Sequence, residues 1–191
     1  MSKGIKRGKA NRQVERGLFE MSSLIFLKKI ENYSPGKAIE DFKKAAQKAN
    51  IFCILIKDKY RGDLFISAEG TLSEVDEFTF KNMDKKDNLK YFTFNVNQVE
   101  EDSVDSFTWL TQDENYFWAL DIENINHQYK FIFRFVVEYF KDNGEDYLWF
   151  DDAEWYYTAD DILKLSQMPY DPNWSVKRLS SFIHLKITRF Y

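Results

Sequence analysis

Between Asp146 and Asp161 the chain interleaves carboxylates with aromatic rings, and Asp146, Trp149, Asp151, Asp152, Glu154, Trp155, Tyr156 and Asp160 are the residues best suited to chemistry. Trp and Tyr anchor protein interfaces, while carboxylates steer a partner of opposite charge. The mixture therefore points to recognition of a basic protein. Paired carboxylates can also ligate Mg²⁺ or Ca²⁺, but neighbouring residues of a strand point to opposite faces, so only Asp152 and Glu154 would converge. Asp121, Glu123 and His127 form a second conceivable ligand set that lacks the spacing of a known metal motif. The plain alternative for the 147–161 stretch is a half-buried segment whose rings turn inward and whose acids only solvate its outer side.

Charge makes the recognition reading more specific. Residues 91 to 161 hold 17 acids against Lys130, Arg134 and Lys141, a net −14, whereas the rest of the 191-residue chain is +10 and the whole only −4. A segment so acidic repels itself when compact, which calls for a role beyond solubility. At the other extreme, residues 1 to 16 carry Lys3, Lys6, Arg7, Lys9, Arg12 and Arg16 against Glu15 alone. That stretch reads as a flexible basic tail, and any nucleic-acid contact is reserved for it.

Other chemistries find little to work with. Neither GxGxxG nor GxxxxGK[ST] occurs, and seven glycines in all argue against a nucleotide fold built on Gly-rich loops. The single cysteine, Cys53, lies in the apolar run Ile51 to Ile56, where a thiol behaves as a small hydrophobe with a raised pKa rather than as a nucleophile. His127 and His184, the two histidines, have no acid–base or nucleophilic constellation around them. No catalytic residue, metal site or cofactor is expected. Leu24-Ile25-Phe26-Leu27 is too short for the core of a signal peptide and Glu20 interrupts its approach, so the chain reads as cytoplasmic, without contact to a membrane.

The elements that must position these residues are legible in part. Ser34 can cap and Pro35 open a helix over 35–49, because Ile39, Phe42, Ala46 and Ala49 recur every three or four residues. Asn50 tolerates a left-handed helix end, and 51–56 then reads as a buried strand. Segments 64–68, 75–81, 89–96, 106–111 and 116–122 read as an antiparallel meander, with turns at Asp84 to Asn88 and Gln112 to Asn115. In one of them Phe92, Phe94 and Val96 share a face opposite Thr93 and Asn95. A second helix starts near Asn124 or Asn126 and ends at Asp142 before Asn143-Gly144. Phe131, Phe133 and Phe135 alternate like a strand there, but the run is too long for one. Tyr147 to Phe150 reads as a strand, Thr158-Ala159-Asp160-Asp161 as a capping box opening a short helix to Leu165, and Ile183 to Thr188 as a last strand.

These readings combine into a single α+β domain over 17–191, a mainly antiparallel, aromatic-rich sheet packed by two principal helices, preceded by the basic tail. The 18% aromatic content supplies the core. The expected function is that of a protein-binding inhibitor that neutralises a basic partner. Immunity proteins that block nuclease toxins follow this physical logic, a likeness of charge and composition that no family motif carries. A nucleic-acid mimic acting against a defence nuclease would use the same surface. A metal-dependent hydrolase or nuclease built on Asp151, Asp152 and Glu154 is the alternative from another class.

Overall fold

A computed structural model of the chain describes residues 23–31, 33–83, 90–99, 115–123, 125, 129–150 and 155–174. The elements are β1 (Leu24–Lys29), α1 (Pro35–Lys48), β2 (Phe52–Arg61), β3 (Leu64–Ser73), α2 (Glu77–Asn82), β4 (Tyr91–Asn97), β5 (Tyr116–Glu123), α3 (Tyr129–Asp142), β6 (Tyr147–Phe150), β7 (Tyr156–Thr158) and α4 (Ala159–Ser166). The described strands form one sheet in the order β2-β3-β4-β5-β1-β6-β7, with every neighbouring pair antiparallel. This is the α+β architecture expected from the residue patterns.

Two crossovers organise it. The antiparallel pairings make β1 parallel to β2, to which α1 leads, and β5 parallel to β6, to which α3 leads. Because β1 and β5 run in opposite directions and their crossovers depart toward opposite edges, crossovers of the same hand put both helices on one face of the sheet. There Phe42 of α1 meets Phe135 and Tyr139 of α3 with ring centroids 5.0 and 5.4 Å apart. Phe92, Phe94 and Val96 of β4 enter this core as their alternation requires. Gly70 of β3 lies opposite Phe94, and a Cβ added there would run into the Phe94 ring and the Ile54 carbonyl, so only glycine lets the ring lie flat on the strand.

Local signals behaved as their chemistry dictates. The Ser34 hydroxyl accepts the Lys37 amide, Pro35 opens α1, and Asn50 turns out of it at φ 55°. Thr158 and Asp161 close a reciprocal capping box at the start of α4.

Four expectations need correction or completion. The 51–56 run is not a buried strand: β2 is the outermost of the described strands on its side and extends to Arg61, and although Ile54 and the preceding Ile51 are buried, Phe52 and Ile56 are about half exposed. Segment 75–81 is not a strand, because Asp76 accepts the Thr79 amide and Glu77 pairs with Lys81 one turn on, stabilising α2. Leu24 to Leu27 is an interior strand of the sheet, paired to β5 and β6, and all four residues are fully buried. β7 was also unanticipated. The 1–16 tail, the strands expected over 106–111 and 183–188, and the turns at Asp84 to Asn88 and Gln112 to Glu114 lie outside or beyond the described residues.

Candidate partner-binding surface

With helices α1, α3 and α4 contributing to the main core, the opposite face of the sheet carries the smaller cluster Ile25, Leu27 and Tyr116, with Tyr147, Trp149 and Tyr156 packed against it. Trp149 and Tyr156 sit opposite each other in the β6–β7 register, and the Tyr147 ring lies 4.6 Å from that of Tyr156 and 4.7 Å from that of Tyr116. Both expected anchors are thus half-buried on the face opposite α1 and α3. Trp155 is not with them: it packs against the main core on the helix side. The rings of this stretch are therefore divided between the two faces of the sheet, as strand alternation demands.

The acids divide as well. Asp146 does not face solvent as an interface residue would. Its Oδ2 accepts from Lys28 Nζ at 2.6 Å and from the Tyr139 hydroxyl at 2.6 Å, with Asp41 3.9 Å from the same ammonium. Asp160 is exposed in the first turn of α4, where a carboxylate also favours the helix dipole. Asp151, Asp152 and Glu154 lie outside the described residues. Eight acids of the 91–161 segment are described, and their placement reduces its apparent charge. Asp121 and Asp146 are buried, Glu138, Asp142 and Glu145 pair with Lys141, Lys48 and Lys29, and Asp161 serves the capping box. Glu123 and Asp160 are left exposed without a cationic partner among the described residues.

A cluster that the 146–160 reading overlooked lies on the same face, opposite α1 and α3. The Asn95 amide donates to Asp121 Oδ1 at 2.8 Å and to Glu123 Oε1 at 3.0 Å, while the Trp118 indole N–H donates to Asp121 Oδ2 at 3.0 Å. Trp118 and Asp121 are three apart and would point to opposite faces of a regular strand. A β-bulge corrects the phase: Phe26 pairs with Leu120 but Leu27 with Trp118, so Ala119 is the extra residue. The tryptophan, 38% exposed, is thereby fixed to Asp121, and Asn95 ties Asp121 to the exposed Glu123. Nothing in the local sequence announces the bulge; the cue was the Asp121 and Glu123 pair itself, with Asn95 at the matching position of β4.

Burial pushes the Asp121 carboxyl above the ordinary aspartate range, with the Asn95 and Trp118 hydrogen bonds opposing and Glu123 adding to the rise. A raised folded-state pKa means that the unfolded chain releases this proton first. Its contribution to stability is therefore full below the ordinary aspartate value of 3.8 and is lost as pH rises through the higher folded value. Denaturant midpoints of the native protein measured upward from pH 3.8 should decline relative to those of Asp121→Asn, and parallel profiles would contradict this assignment.

Other candidate chemistries gain little. Burial raises the Cys53 thiol to about 12, which keeps it a protonated core-side residue. No group of three or more potential metal ligands occurs among the described residues; His127, His184 and the set Asp151, Asp152 and Glu154 lie outside them. No described helix is long and apolar enough to cross a membrane. A polar cavity of about 290 Å³ lies at the start of α1, but its wall sets Lys28, Lys29 and Lys37 against Glu31, Asp142, Glu145 and Asp146, so neither sign of charge dominates it. In comparisons with known proteins, no family model, no curated protein and no solved structure matches this chain.

Proposed function

We propose that this chain is a protein-binding inhibitor that docks a basic partner on the sheet face opposite α1 and α3, in the manner of an immunity protein against a nuclease-type toxin. The observation that carries the reading is Trp118, a partly exposed indole anchored by Asp121, which shares the Asn95 amide with the exposed Glu123. An aromatic held in one rotamer before binding loses little freedom on docking, and a neighbouring carboxylate attracts cations to the same spot. Trp149 and Tyr156 extend this face toward β7, and Asp160 adds charge beyond it. The basic groove that a nuclease uses for nucleic acid has the complementary chemistry.

The experiment is a pull-down from the native cell with wild-type chain and with Trp118→Ala as baits, followed by kinetics and activity measurements on the protein retained by wild type alone. Glu123→Lys with Asp160→Lys should slow association, most at low salt, because steering charges act on the on-rate. Trp118→Ala should instead speed dissociation, with a loss of about 2 kcal/mol expected of a hot-spot ring. The recovered partner should be basic, and a nuclease stoichiometrically silenced by the chain. An on-rate indifferent to charge reversal at low salt would remove the acidic-surface reading; an inhibited partner without nuclease activity would remove the immunity reading alone.

A further inference from the structure

A second cavity, of about 400 Å³, lies on the helix side of the sheet and belongs to none of the surfaces above. Phe131, Phe133 and Val137 of α3 and Tyr170 beyond α4 form its apolar wall. The Phe133 ring lies 5.8 Å from that of Tyr170 and 4.9 Å from that of the buried Trp174, so the aromatic side of the wall is braced from behind. This volume is within the range of small-ligand sites, which are mostly apolar with a few placed polar groups.

The charges on its rim are not balanced. Its two acids are already occupied, Glu74 by Lys90 at 3.7 Å and Glu138 by Lys141 at 2.6 Å. Lys130 and Arg134, both exposed and one helical turn apart, form no ion pair among the described residues; the Arg134 guanidinium only overlies the Phe131 ring at 5.9 Å. Lys130 stands in the first turn of α3, which holds no acid, and Arg134 one turn further on. Cations at the positive end of a helix dipole repel it, and an anion placed there is favoured by both. The cavity therefore offers an apolar wall beneath two unneutralised cations.

We propose that this cavity is a binding site for a small monocarboxylate with an apolar body, its carboxylate held by Lys130 and Arg134 and its alkyl or aryl part laid against Phe133, Val137 and Tyr170. The site is independent of the partner-binding face, and its test leaves that reading untouched. The full chain, isotopically labelled at its valine and isoleucine methyls, is titrated with decanoate, with 3-phenylpropionate, with 1-decanol and with a short acidic aromatic peptide, and methyl shifts are followed by NMR. Saturable shifts of Val137 are expected with one or both acids, at concentrations at least tenfold below those needed for the alcohol. The tighter acid shows whether the natural ligand is aliphatic or aromatic. Lys130→Glu with Arg134→Glu, two exposed positions whose change leaves the core intact, should weaken acid binding at least tenfold while the remaining methyl spectrum is preserved. The proposal is overturned by equal binding of the alcohol, by shifts centred on Ile25 or Ile122 instead of Val137, or by the absence of a saturable response. A response to the peptide but to neither acid overturns it too, and assigns the groove to a protein partner.

Discussion

Replacing Lys28 by methionine should destabilise the fold by about 3–5 kcal/mol, the usual cost of stranding one member of a buried ion pair. Methionine keeps most of the stem's packing, so the loss reports on charge. The Lys28 ammonium donates to the Tyr139 hydroxyl at 2.9 Å and to Asp146 at 2.6 Å, and the side chains of Lys28 and Asp146 are only 11% and 10% exposed. Without it, Asp146 retains the Tyr139 hydroxyl as partner but has no cation paired with it among the described residues. Burial already pushes the Asp146 carboxyl upward, with Lys28 as the main opposing influence. Losing Lys28 raises it further, so the variant should regain stability as pH falls and the carboxyl takes up a proton. Adding Asp146→Asn to Lys28→Met removes the more tightly held of the two stranded carboxylates, Asp41 being the other, and should recover part of the loss. Denaturant unfolding of wild type, both single variants and the double variant measures this coupling, and a double variant as unstable as the sum of the singles would show that the pair is not coupled.

The other large effect belongs to Phe26, for which truncation to alanine should cost about 3–5 kcal/mol. This ring, fully buried in β1, lies 4.8 Å from Tyr139, 5.2 Å from Phe42, 6.2 Å from Phe140 and 6.5 Å from Phe135 by centroid. It thus joins the sheet to both principal helices. α1 and α3 are tied to each other as well as to the sheet, so they cannot both collapse into the space, and a cavity remains. Trp118→Ala, on a partly exposed ring of the other face, should cost the fold much less while weakening partner binding by about 2 kcal/mol. Urea midpoints of the two variants make the comparison, and a loss below about 0.5 kcal/mol for Phe26→Ala would place that ring outside the core.

Features whose cause lies within one turn of helix or one strand were legible in the residues alone. Ser34 with Pro35 starts α1, Asn50 ends it, Thr158 with Asp161 caps α4, and the alternation of Phe92, Phe94 and Val96 faces β4 to the core. The α3 helix was also legible, because its length outweighs the strand-like spacing of Phe131, Phe133 and Phe135. The four apolar residues of β1 contain no alternation, since both faces of that strand are covered, and so their role as the strand between β5 and β6 left no mark in their pattern. In β2 the reverse held: an apolar run suggested burial, yet a strand with one neighbour among the described residues leaves Phe52 and Ile56 half exposed.

The candidate surface divides along the same line. That acids and rings are interleaved is a matter of composition, and Trp149, Tyr156 and Asp160 could be named from it. That Asp146 is instead buried depends on Lys28, 118 residues earlier, and that Trp118 and Asp121 meet depends on one extra residue in β5 measured against β1. Propensity, capping and periodicity act over about four residues, which is why sequence by itself determined the fold class and several of its elements. Burial, register and ion pairing are decided by partners far away along the chain, so the tertiary structure alone settled which charges reach solvent and which rings share a face.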